Sequence, residues 1–252
     1  MKTEKTITAG RLVRKAIYPR AAARESARIR QAKRKMSTEA QQRLNAKYSW
    51  EKLELMLAAN FGPGDLFVTL TFDDQHLPSD RSQAAAIFKK FRHDIQEIRK
   101  AEGKTAVIIW SIENVHDSGR WHVHLVINAT GNDFVDILRC WPYGSDVEIM
   151  RLQVDREKNY ESLARYMCKE RRERQGLRTW SCTRNCKRPE VETRIVPDDA
   201  DIAAPEDVMV LEDSSKRTEW ADYHYIKYLA MEADPPKRRA RRRRKTCETS
   251  TA

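Results

Sequence analysis

Trp121-His-Val-His-Leu-Val-Ile127 decides the fold, together with Ala106-Val-Ile-Ile-Trp-Ser-Ile-Glu113 just before it. Val123, Leu125 and Ile127 alternate with their neighbours, the pattern of a strand. Residues two apart on a strand share a face, so His122 and His124 project together with Cα atoms roughly 6–7 Å apart. Val123 and Leu125 then face the core. Two imidazoles side by side make a poor core and a good pair of metal ligands.

Ala106–Glu113 also reads as a strand, and Val115-His-Asp-Ser-Gly-Arg120 between the two is rich in turn formers. A turn centred on Asp117-Ser118 sets Glu113 opposite His122 and Ser111 opposite His124. Cross-strand Cβ atoms lie about 4.5–5.5 Å apart. Hairpin geometry therefore predicts a two-histidine, one-carboxylate site with open positions for water or substrate. The bland alternative is two surface histidines and a surface glutamate on a solvated sheet face.

Net charge is +11, and its distribution is uneven. Residues 1–47 hold fourteen Lys/Arg against three acids, and residues 237–245 hold eight basic residues and no acid. Residues 198–213 hold seven acids and no base, which leaves the remainder at −1. The expectation is a basic N-terminal arm (1–47), a nearly neutral core (48–230) with an acidic surface insertion at 198–213, and a basic C-terminal tail (231–252). Such arms bind phosphate backbones by counterion release and carry little sequence information.

No apolar run approaches a membrane span, and the N-terminus lacks an apolar leader core. Five scattered cysteines fit a reducing cytoplasm better than a disulfide framework. No phosphate-loop motif occurs, which argues against an ATPase.

Along the chain, a helix is expected from Ser37-Thr38-Glu39 to Phe61, with Leu44, Tyr48, Leu53, Met56 and Leu57 packed. Leu66–Phe72 reads as a strand with Thr69 and Thr71 on one face. Ile87, Phe88, Phe91, Ile95 and Ile98 recur at helical spacing, with Lys89, Lys90, Arg92 and Lys100 outside and Gly103 as the stop. A short helix follows Gly131-Asn132-Asp133, then a strand at Val147–Val154, a helix from Asn159 to about Arg174, and a last strand at Trp220–Leu229. The pattern predicts an α+β fold: a single central, largely antiparallel sheet of about five strands flanked by helices.

On the helix from Asn159, Tyr166 and Lys169 stand three residues apart and share a face. A nearby cation or metal stabilises a phenolate, whose free pKa is about 10. Tyrosine then serves as a nucleophile for phosphoryl transfer. Packing with a snorkelling lysine is the ordinary alternative.

Three segments now stand in order: Phe67-Val-Thr-Leu-Thr-Phe72, Arg120-Trp-His-Val-His-Leu125 and Tyr166-Met-Cys-Lys-Glu170. Together they resemble the three motifs of rolling-circle replication initiators of the HUH endonuclease superfamily, over roughly residues 65–175. The resemblance implies that His122, His124 and Glu113 hold a divalent ion, Mg or Mn. It makes Tyr166 the nucleophile, Lys169 its helper, and Thr69 and Thr71 part of the DNA site, with Arg120 and Arg165 as further DNA contacts. Tyr160, six residues from Tyr166, lies on another helical face, so the chain resembles the single-tyrosine form. The implied activity is nicking and rejoining of single-stranded or extruded origin DNA. A host helicase and polymerase would be the partners, and no membrane is involved.

Three rivals remain. A relaxase or single-tyrosine transposase shares the chemistry, although relaxases often place their tyrosine before the histidine motif. A non-catalytic single-strand-binding protein explains the charge but not the convergence of Glu113, His122, His124 and Tyr166. A zinc module built on Cys182 and Cys186, with Cys168 or Cys140, has poor spacing.

Overall fold

The computed structural model describes residues 1–19, 39–114, 120–155, 159–169, 178–217 and 222–231. The strands are β1 (Lys2–Ala9), β2 (Leu12–Pro19), β3 (Leu66–Thr71), β4 (Ile108–Glu113), β5 (His122–Ile127), β6 (Val147–Arg151), β7 (Ser181–Cys182), β8 (Glu190–Val196), β9 (Val208–Arg217) and β10 (Asp222–Ala230). The helices are α1 (Glu39–Asn60), α2 (Arg81–Ala101), α3 (Asp133–Cys140) and α4 (Glu161–Met167).

The α+β expectation holds, and its five-stranded antiparallel sheet is present in the order β6-β3-β5-β4-β7. The histidine strand β5 runs between β3 and β4, so both neighbours contribute side chains beside the imidazoles. One face of this sheet packs Val68, Leu70, Val123 and Leu125 against Phe88, Phe91 and Ile95 of α2 and Ile137 of α3. Asp80 starts α2 by accepting a hydrogen bond from Gln83 N at 2.9 Å, and Gly103 follows it at φ +69°. The other face packs Ile109 and Val126 against Leu53, Met56 and Leu57 of α1 and Ala164 and Met167 of α4.

A second five-stranded sheet, β8-β1-β2-β10-β9, departs from the single sheet expected. Residues 1–19, assigned to a basic arm by their charge, form its central hairpin. A charge count is blind to alternation. Leu12, Val13 and Ile17 are buried, and the neighbouring charges sit among them without breaking the strand. Gly10 makes the turn at φ +56°, where a Cβ would meet the Ala58 carbonyl oxygen of α1 at 2.4 Å. The late strand, placed by sequence in the first sheet, is β10 and pairs instead with β2.

The acidic insertion is likewise not a surface loop throughout. Residues 208–213 belong to β9, and Ala200, Ile202 and Ala204 cover Val13, Ile17, Ile226 and Tyr228. Residues 20–38 of the expected arm and 232–252 of the expected tail lie outside the described residues, as does the turn at 115–119.

α1 lies between the two sheets. Leu53, Met56 and Leu57 serve the first, while Leu55 joins Ala9 and Leu12 of the second. Leu44 and Tyr48, expected on its packed face, are exposed. Among the described residues no helix is long and apolar enough to cross a membrane.

Candidate nucleophile and metal site

On the sheet face shared with α1 and α4, each of the three central strands runs from an apolar end to a polar end. Phe67 gives way to Thr69 and Thr71, Val126 to His124 and His122, and Ile109 to Ser111 and Glu113. Registers Thr69↔His124↔Ser111 and Thr71↔His122↔Glu113 align these residues into two polar rows. The hairpin register is the one the sequence predicts. α4 covers the apolar part, and Tyr166 near its end overhangs the polar rows.

Each imidazole is held from behind. Thr69 Oγ1 lies 3.1 Å from His124 Nδ1, and Thr71 Oγ1 lies 3.2 Å from His122 Nδ1. The rings are nearly parallel, 13° apart with centroids at 6.4 Å, and Phe67 stacks on His124 at 5.9 Å. The strand end bearing Thr71 is fixed by Trp141 Nε1, which donates to its carbonyl at 3.1 Å. Gly144 packs on the same carbonyl, where a Cβ would stand 2.2 Å from the oxygen.

His124 Nε2 donates to Glu113 Oε1, and Lys169 Nζ pairs with the same oxygen at 2.9 Å. The Tyr166 hydroxyl lies 3.4 Å from His124 Nε2, and Lys169 Nζ sits 3.9 Å from the Tyr166 ring centroid. Burial pushes the Glu113 carboxyl up, but hydrogen bonds and charge from His124 and Lys169 outweigh it and hold it below its ordinary value. Burial and the neighbouring His124 lower His122. Burial also opposes the Lys169 charge, yet Glu113 and Tyr166 raise it above the usual lysine value. The cluster is open on one side, since Tyr166 is 42% exposed.

The donor set fits a divalent ion. His122 and His124 direct the ring edges away from their threonines, and Glu113 Oε2 is buried without a hydrogen-bond partner. A threonine hydroxyl both donates and accepts. Thr69 can therefore donate to Nδ1 while Nε2–H faces Glu113, or accept from Nδ1–H when Nε2 offers a lone pair to an ion. Holding an ion requires the Glu113–His124 contact to open. As they stand, no three His, Cys, Asp or Glu among the described residues form a ready metal cluster, and this includes the cysteines considered for zinc.

Thr69, Thr71, Glu113, His122, His124, Tyr166 and Lys169 thus come together. Arg120 and Arg165 are engaged elsewhere. Arg120 donates to Phe72 O at 3.1 Å and pairs with Asp74 at 2.5 Å. Arg165 lies over Trp50, 4.2 Å from its ring centroid, and pairs with Glu161. Tyr160 is buried and donates to Phe61 O at 2.7 Å. The helix carrying Tyr166 is shorter than expected: it ends at Met167, and the Cys168 amide turns back to Arg165 O at 3.2 Å. Residues 170–174 of the expected helix lie outside the described residues. Phe67 is a member of the site that sequence reasoning does not single out, although it precedes Thr69 by two and so has to share its face.

Comparison with curated proteins and with solved structures gives no match. Residues 65–171, a span containing every member of the cluster, match the family model of replication-associated protein ORF2. By this likeness the chain is similar to replication-associated proteins, and the match supports a replication-initiator role.

Proposed function

We propose that the chain nicks and rejoins single-stranded origin DNA through Tyr166, as a single-tyrosine rolling-circle initiator of the HUH type. The observation that carries this reading is the placement of an exposed phenol against His124, with Lys169 beside its ring. The family match over the same residues supports it.

In this reading the Tyr166 oxygen attacks the phosphorus of one phosphodiester. The phenolic proton passes to solvent, which Tyr166 reaches. The bond from phosphorus to the 3′-oxygen breaks, and that oxygen takes up a proton to become a free 3′-hydroxyl. The product is a 5′-phosphotyrosine. One phosphodiester replaces another, so the reverse attack by a 3′-hydroxyl rejoins the strand. Lys169 stabilises the phenolate and the charge on the phosphate. His122, His124 and Glu113 would hold a Mg or Mn ion, which when bound supplies Lewis-acid polarisation of a non-bridging phosphate oxygen. Thr69 and Thr71 keep the two imidazoles oriented for that task. The target must be unpaired, because a duplex blocks in-line access to its backbone. The free 3′-hydroxyl would prime a host polymerase, with a host helicase opening the duplex.

The test is covalent capture on single-stranded oligonucleotides with Mn. Tyr166→Phe is expected to keep DNA binding and lose the denaturant-resistant adduct entirely. An adduct that survives this change would move the nucleophile to another residue.

A further inference from the structure

At the edge of the first sheet, β7 pairs with only two residues of β4, Ile109 and Trp110. Two cavities open on either side of the segment 178–181, which forms a shared wall. One, of about 360 Å³, lies between that wall, α2 and β4 and is lined by Lys89, Arg92, Trp110 and Ser111. The other, of about 620 Å³, lies against α1 and is lined by Tyr48, Lys52 and Arg188. Arg178 and Trp180 face both.

The lining is cationic and aromatic together, and no carboxylate lines either cavity. Lys52, Lys89, Arg92, Arg178 and Arg188 have no carboxylate partner among the described residues. Arg92 lies over Trp110, 4.6 Å from its ring centroid, and Tyr48 is 57% exposed. Cations that track a backbone, interleaved with rings on which bases stack, suit unpaired nucleic acid.

The groove also reaches the nucleophile site. Ser111 lines it and is the cross-strand partner of His124. Its hydroxyl is buried and has no hydrogen-bond partner, a donor left over for a ligand.

We propose that this edge groove holds the single-stranded flank of the DNA whose phosphate meets Tyr166, an assignment that rests on the DNA substrate proposed above. A strand leaving the two histidines would pass Ser111, turn over the end of β7 and lie along Arg178 toward Tyr48.

Lys52, Lys89 and Arg178 are exposed, and the triple variant Lys52→Ala, Lys89→Ala, Arg178→Ala tests the groove without disturbing the core. The probes are a short oligo-dT that fills only the Tyr166 site and a long one that extends past it. Each lost phosphate contact lowers the slope of log affinity against log salt by about 0.7, so the triple variant should lose about 2 on the long probe. Its affinity for the short probe should stay that of the parent. An unchanged slope on the long probe overturns the groove, as does an equal loss on both probes. Competition by poly-glutamate as strong as by DNA would overturn the nucleic-acid assignment. The two proposals fail separately: a slope lost in the triple variant, with no adduct from the parent chain, sinks the nicking reading and leaves the groove standing.

Discussion

Two charge clusters flank α4, and they differ in what they leave open. On the side of the second sheet, Glu54 of α1 pairs with Arg14 of β2 and, at 2.8 Å, with Lys227 of β10. Lys227 reaches on to Glu161 of α4 at 2.9 Å, and Glu161 pairs with Arg165. Glu54 and Lys227 are almost fully buried. On the side of the first sheet, Glu113 is just as buried, but Tyr166 and Lys169 above it reach solvent. The first cluster joins two sheets and a helix and gives a substrate no way in. The second keeps a carboxylate oxygen unsatisfied beneath an exposed phenol. Burial of charge alone does not mark a reactive site; burial with one open side does.

Removing one partner of the closed cluster should therefore be a stability experiment. Lys227→Met strands Glu54 and Glu161, and breaking a buried pair in this way costs about 3–5 kcal/mol. The shift in denaturant midpoint reads it. A midpoint within experimental error of the parent would mean that the cluster is hydrated and that the contrast with Glu113 fails. Because Lys227 also anchors α4, a folded Lys227→Met should show slower adduct formation than its stability at low denaturant explains.

The open cluster should respond in the opposite way. Thr69→Val keeps the volume and removes the hydroxyl behind His124. Loss of such an outer-shell partner typically lowers metal affinity by about 10–100-fold. Manganese titration of adduct formation should show that rise in the half-saturating concentration, with the unfolding midpoint little changed. A variant that loses stability and keeps its Mn dependence would make Thr69 a packing residue.

The same contrast explains which parts of the molecule are legible in the sequence. The β4–β5 register follows from the position of one turn, so local pattern alone sets Glu113 and Ser111 opposite the histidines. Tyr166 and Lys169 are legible for the same reason, being about one turn apart. The second sheet is not. Its central pairing joins Leu229 to Leu12, and no local pattern announces a partner that distant. The charge of Arg14 and Lys15 disguises β2 as an arm, although Arg14 is a buried member of the closed cluster. α1 shows no single apolar stripe because it faces two layers, with Glu54 buried on one of them. Arg99, which reads as surface, is buried and donates to Asp133 at 2.7 Å, fixing α2 to the start of α3.

The smallest effect belongs to the rim of the second sheet, where charge is paired in the open. His224 of β10 pairs with Asp201 at 2.5 Å and with Asp213 at 2.8 Å. The hydrogen bond to Asp201 leads in raising the imidazole above its ordinary value of 6.5, against a smaller opposing effect of burial. The folded chain therefore holds this proton more tightly than the unfolded chain. Its contribution to stability is complete below pH 6.5 and is lost as pH rises through the raised folded-state value. Both carboxylates are exposed, so solvent and salt screen the pair and the effect should shrink at high ionic strength. The unfolding midpoint of His224→Gln, followed from about pH 5.5 to about 8.5, should fall below the parent at the acid end and converge with it at the alkaline end. A difference that grows with pH would mean that His224 is held neutral in the fold, and the rim would then resemble the buried cluster rather than contrast with it.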